Sequence, residues 1–318
     1  MHPRFHSPLP VRLALAAAAL ALVAGCGGGP ASQASAPPPA YEVIFDGQNP
    51  DGSRMLYYAR PEGGAPQVLG RGYLGTRPQA RPDGLALVYA SLPTETAPMQ
   101  LMLVTDLSQP ALRLSPPGVG EREGAWSPDG TRLAFHSQQD EPDGDIFVAR
   151  LRDGALEGRT NLTPRQPGDP EISPDVTPAW SPDGTRLAFT SYRSGSPALW
   201  VMAADGTQAR QLTPTSATHG DYFPTWSPDG QWIAFQRLSQ DAARIGLLPA
   251  DGGSPAFFDF DGRAYAPSWS PDGQWIAFSG LRDGETDIYL QAPHSPELRR
   301  IVRPGVDQGP SWMRRRTP

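Results

Sequence analysis

Four acidic residues recur at one position of this 318-residue chain. Counting five residues back from Trp126, Trp180, Trp226 and Trp312 gives Glu121, Asp175, Asp221 and Asp307; the same count gives Ala264 before Trp269 and Gly75 before Ala80. Carboxylates brought close together favour a counter-charge. Such a ring would hold a cation, a calcium ion being the expected cofactor, or a basic peptide segment. The competing reading is that each carboxylate caps its own turn by accepting backbone N–H groups. Arg77, Arg122 and Arg263 lie in the same stretches and could neutralise the ring.

Other chemistry is sparse. Cys26 is the only cysteine and all 27 basic residues are arginine, so the chain has no disulfide, no cysteine pair for a metal and no lysine nucleophile or base. Beyond the first 40 residues the histidines are His136, His219 and His294. His136 ends an apolar run and His219 precedes another. Both are expected on one face, in units too far apart for a shared metal to be the favoured reading.

The tryptophans belong to a repeat. W-S-P-D-G occurs at Trp126, Trp180, Trp226 and Trp269, each time followed by T-R-L-A-F or Q-W-I-A-F. The spacings are 54, 46 and 43 residues, and Trp312 in G-P-S-W lies another 43 on. Pro-Asp-Gly makes a tight turn between two short strands: Pro presets φ, Asp bonds the nearby backbone and Gly accepts positive φ. D-I-F-V, A-L-W-V-M or D-I-Y-L gives a third strand, and a last one ends in Leu-Thr. Repeats in the forties with four short strands suggest propeller blades. A weaker copy runs from Ala80, and Y-E-V-I-F at Tyr41 begins a unit lacking its first strand. G-P-S-W supplies that strand. The expected fold is therefore all-β, a six-bladed β-propeller over 41–314, closed by a composite blade shared between N- and C-terminal strands, with 315–318 a tail. Trp126, Trp180, Trp226, Trp269 and Trp312 are expected to fill contacts between blades. Asp129, Asp183, Asp229 and Asp272 are expected to cap turns. The insertion Arg165–Val176 is Pro-rich and polar, and serves either recognition or nothing in particular.

Residues 1–25 read as an export signal: Arg4 and Arg12, then an apolar run from Leu13 to Val23. V-A-G-C, ending at Cys26, resembles the lipobox of bacterial lipoproteins, with Val23 where Leu is usual and Leu22 just upstream. The resemblance implies cleavage before Cys26, a diacylglycerol on its sulfur and an acylated amine, which together anchor firmly. Residues 26–40, rich in Gly, Ala, Ser and Pro, read as a tether. Gly27 rather than Asp after the cysteine implies the outer membrane, facing the periplasm. Removing the signal takes two arginines and no acid, so the formal net charge falls from −6 to −8. An acidic chain is a poor nucleic-acid binder.

The pattern W-S-P-D-G-x-x-[IL]-A-F, with D-I-[FY]-[VL] and L-T after it, resembles the TolB-type (WD40-like, PD40) propeller repeat from about Tyr41 to Trp312. True TolB carries an extra α/β domain before its propeller. Here only the tether precedes the first strand, so contact with the Tol machinery is not carried over. Peptidases that share the propeller add a hydrolase domain with G-x-S-x-G, which this sequence lacks. The expected role is a lipid-anchored, monomeric envelope module that binds a protein or peptide partner or acts as a scaffold. The alternative is a metal-dependent carbohydrate lyase or hydrolase at the channel mouth, for which the histidines are few.

Overall fold

The computed structural model describes residues 41–93 and 96–315. The signal, Cys26 and the tether lie outside them. Among the described residues all regular elements are strands. β1 (Tyr41–Gln48), β2 (Arg54–Ala59) and β3 (Gln67–Val68) come first, then β4 (Thr76–Ala80), β5 (Leu87–Ser91), β6 (Gln100–Val104) and β7 (Leu112–Arg113). The W-S-P-D-G units follow: β8 (Glu121–Trp126), β9 (Arg132–Ser137), β10 (Asp145–Arg152) and β11 (Ala155–Asn161); β12 (Asp175–Trp180), β13 (Arg186–Ser191), β14 (Ala198–Ala203) and β15 (Arg210–Gln211). Next are β16 (His219–Trp226), β17 (Trp232–Ser239), β18 (Ala243–Pro249) and β19 (Ala256–Phe257); β20 (Arg263–Trp269), β21 (Ile276–Arg282), β22 (Glu285–Gln291) and β23 (Leu298–Ile301); and finally β24 (Val306–Arg314).

The propeller class stands, but the expected six-bladed arrangement does not. Strand pairing gives four separate four-stranded blades, β4–β7, β8–β11, β12–β15 and β16–β19, and one eight-stranded sheet. That sheet runs β20-β21-β22-β24-β1-β2-β3, with β23 on β22. β24 pairs antiparallel with β1, Val43 opposite Trp312, tying the C-terminal strand to the first. The join that merges the last repeat with this pair is a parallel bridge of Thr286 to Val306. It forms because β24 begins early enough to reach the β22 backbone. A backbone bridge of this kind leaves no side-chain pattern in the sequence.

Each second strand is buried on both faces because it is sandwiched between neighbours. In β9, Leu133 and Phe135 pack on Val88, Leu101 and Leu103 of the preceding unit. Ala134, one residue out of phase, packs toward Trp180, Leu187 and Phe189 of the next. Strand alternation thus feeds two interfaces rather than one core and one wet face.

The W-S-P-D-G phrase builds the first turn. In Ser127-Pro128-Asp129, the serine Oγ donates to Asp129 Oδ1 at 2.5 Å and accepts the Arg132 N–H at 2.9 Å. Asp129 Oδ1 also accepts the Thr131 N–H at 3.0 Å. Asp183, Asp229 and Asp272 accept Thr185, Gln231 and Gln274 N–H at the same 3.0 Å. The serine hydroxyl bond holds the Asp129, Asp183 and Asp229 carboxyls below their ordinary value. The tryptophans reach across units: Trp126, Trp180, Trp226 and Trp312 donate their indole N–H to the carbonyls of Gln79, Ala125, Ala179 and Ser268, at 3.0–3.2 Å. Trp269 is equally buried, yet its Nε1 has no acceptor among the described residues.

Candidate functional site

The innermost strands β4, β8, β12, β16, β20 and β24 follow one another around a central channel of about 240 Å³. Each carries a bulge at the same place, three residues before the Trp or its equivalent. The bulge residues are Arg77, Glu123, Thr177, Phe223, Ala266 and Gly309, all with φ between +48° and +60°. Only one is glycine, so five side chains are held in the left-handed region, a conformation that costs about 1–2 kcal/mol each. All six positions line the channel.

Hydrogen bonds from the preceding unit hold this geometry. Asp46, Gln236 and Ser279 each follow the aromatic residue of their second strand. Their side chains accept the bulge N–H of Arg77 (3.0 Å), Ala266 (3.1 Å) and Gly309 (3.1 Å). His136 occupies the same position in β9 but meets the Asp175 carbonyl through Nδ1 at 3.1 Å. The Thr177 N–H is taken instead by Glu123 Oε2 at 2.9 Å. Burial, then the nearby Arg122 charge, pushes the His136 pKa down and favours the neutral ring.

The acidic residues expected at the channel mouth are inside the sheets. Glu121, Asp175, Asp221 and Asp307 are at most 1% exposed. Each contacts its own arginine: Glu121 with Arg159, Asp175 with Arg193 at 2.5 Å, Asp221 with Arg237 at 2.7 Å and Asp307 with Arg303 at 2.7 Å. The Asp307–Arg303 contact is a close ion pair without aligned N–H···O geometry, so both Asp307 oxygens lack a hydrogen bond. Burial raises Asp307 to about 7 against the pull of Arg303, and Asp287 and Asp46 nearby add to the rise. Burial also raises Asp175. None of the loop arginines expected to neutralise the ring does so. Arg122 lies 3.8 Å from Glu123, Arg263 donates to the Gln240 carbonyl, and Arg77 sits over Phe223. Among the described residues no group of three or more His, Cys, Asp or Glu is arranged to hold a metal. His219 bonds Ser216 through Nδ1, and His294 is an exposed residue edge-on to Trp232.

A groove of about 520 Å³ adjoins the channel. Tyr192, Tyr222, Phe223 and Leu238 give it an apolar wall, and Arg122, Asp143 and Gln236 a polar one. Tyr192 and Tyr222 meet edge-on at 6.4 Å. Burial and a hydrogen bond to Tyr192 push the Tyr222 hydroxyl pKa up. Phe223, Glu123 and Thr177 line both spaces, so the groove opens into the channel. The Arg165–Val176 insertion is tied to this rim. Arg165 donates to Asp143 at 3.1 and 3.2 Å, and the Ser173 N–H donates to the same carboxylate. Ile172 is left 74% exposed. Tyr222 and Phe223 escaped the sequence reading because the residue type at their positions in the first strand differs from unit to unit; only alignment on the bulge would have singled out Arg77 and Phe223.

The model of the TolB beta propeller domain matches residues 78–254 and 222–316. The chain belongs to this family. A TolB homolog from Chlorobium luteolum is 29% identical over 166 residues, 51% of this chain and 34% of that protein. The Tol-Pal system protein TolB from Hahella chejuensis is 32% identical over 83 residues, 26% of this chain and 18% of its own length. This TolB-type propeller therefore matches about a third or less of the length of these relatives. Among solved structures, TolB from Acinetobacter baumannii superposes with a TM-score of 0.68 at 18% identity, covering 86% of this chain and 66% of that one. The nidogen/laminin complex gives 0.64 at 11% identity, over 86% of this chain and 98% of that one. Such likenesses establish the propeller fold and no more.

Proposed function

We propose that the protein is a lipid-anchored propeller of the bacterial cell envelope that binds a protein or peptide partner at the groove beside the channel. The observation that carries this is the half-buried aromatic set Tyr192, Tyr222 and Phe223, gathered from two blades into one concavity that opens into the channel. Aromatic anchors with a polar rim are what recognition surfaces use. Family membership and a relative named for a Tol-Pal system support an envelope setting, as does the lipobox-like V-A-G-C at Cys26.

The test is site-directed photo-crosslinking in intact cells from a reactive residue at Leu238. A discrete adduct lost in the Tyr192→Ser, Tyr222→Ser double variant, with melting temperature preserved, is expected. An adduct unchanged by that variant overturns the proposal.

A further inference from the structure

Of the six bulge positions, two carry charge, Arg77 and Glu123. Glu123 is engaged by the Thr177 N–H and by Arg122. Arg77 is different. Its backbone N–H is bonded to Asp46, but its guanidinium makes no salt bridge or hydrogen bond among the described residues, and its charge acts on the Asp46 carboxylate only at longer range. It lies with Cζ 4.0 Å from the centroid of Phe223, a residue of the strand on the opposite side of the channel. Glu123, on the neighbouring strand, is beyond ion-pair distance. The Phe223 ring holds the group from one side and leaves its N–H donors without an acceptor among the described residues. A fixed guanidinium with open donors is suited to bidentate recognition of a carboxylate.

We infer that the channel is a carboxylate-binding site, in which Arg77 grips the carboxylate, Phe223 backs the guanidinium, and the rest of the ligand runs out along the groove wall that Tyr192 and Tyr222 form together. The inference deepens the proposed function and rests on it only for the groove. The channel, at about 240 Å³, holds one terminal residue rather than a chain. Asp46 and Glu123 stand close by, so a single negative charge is favoured over phosphate. A free small carboxylic acid and a peptide C-terminus share the required chemistry.

The test uses the full chain purified in detergent. The Nε–H signal of Arg77, assigned by its loss in Arg77→Lys, is followed by NMR during titration. The probes are acetyl-Ala-Pro-Phe as the free acid, the same peptide as its amide, acetate, and inorganic phosphate. The acid is expected to shift the signal and to bind at least roughly tenfold more tightly than the amide. That preference should vanish in Arg77→Gln and persist in Arg263→Gln, which lines neither the channel nor the groove, with melting temperatures of both variants close to wild type. A response to the peptide acid with none to acetate identifies a C-terminus, and an equal response to acetate identifies a small acid. Equal binding of acid and amide, no movement of the Arg77 signal with acid or acetate, or tighter binding of phosphate than acetate overturns the inference. Failure of the crosslinking test with a retained acid preference would remove the groove reading and leave the Arg77 site standing.

Discussion

Arg77 and Phe223 occupy the same bulge position in strands that face each other across the channel, and their side chains meet there at 4.0 Å. The contact follows from the backbone. A left-handed residue at each bulge sends its side chain toward the axis, so the residue type at this position decides what the channel contains. Arginine over an aromatic ring contributes about 0.5–1 kcal/mol at partly exposed sites, little enough for a ligand to compete.

The bulge geometry itself should be the less forgiving feature. Gly309 has φ +57°, and a Cβ there would lie 2.8 Å from Asp46 Oδ1. Gly309→Val is expected to cost at least about 1–2 kcal/mol through the left-handed backbone alone. A drop of several degrees in melting temperature checks this; an unchanged value would refute it.

The buried ion pairs should outweigh the turn caps. Arg193→Ala strands the Asp175 carboxylate in the sheet and is expected to cost about 3–5 kcal/mol. Asp229→Ala, which loses hydrogen bonds near the surface, should cost about 1 kcal/mol. Adding Asp175→Asn to Arg193→Ala should recover much of the loss. Thermal melting of the three variants beside wild type decides the order.

Asp307 should make stability fall with rising pH. Its folded pKa, about 7, lies above the ordinary carboxylate value, so the folded state holds more protons between about pH 4 and 7. Its contribution is therefore present at low pH, lost through that window, and flat above it. Asp129, Asp183 and Asp229 run oppositely, losing stability only as pH falls through their lowered values. Melting at pH 4.5 and 7.5 should show a smaller decline in Asp307→Asn than in wild type.

Two tryptophans at the same repeat position should differ. Trp312 donates to Ser268, whereas the Trp269 indole N–H has no acceptor among the described residues. Trp312→Phe should lose about 1 kcal/mol of hydrogen bonding, a few degrees of melting temperature, and Trp269→Phe less.

Membrane attachment should depend on one sulfur. Cys26→Ser is expected to abolish labelling by a palmitate analogue and to release the protein from the membrane fraction. Labelling that persists in the variant would exclude lipidation at this residue.

The sequence by itself determined the repeat unit. W-S-P-D-G encodes a turn whose bonds are all local, between Ser127, Asp129 and Arg132, so the motif is legible without a fold. Strand pattern and spacing then imply a propeller. Tertiary structure decided the rest. The bridge of Thr286 to Val306, which merges two units into one sheet, joins backbones that carry no signature. The acids at the repeat position looked like a ring because they align in sequence. Their partners Arg159, Arg193, Arg237 and Arg303 come from different places in each unit, and only packing shows that each acid meets an arginine of its own. Arg77 and Phe223 are 146 residues apart; only closure of the ring brings them within 4.0 Å.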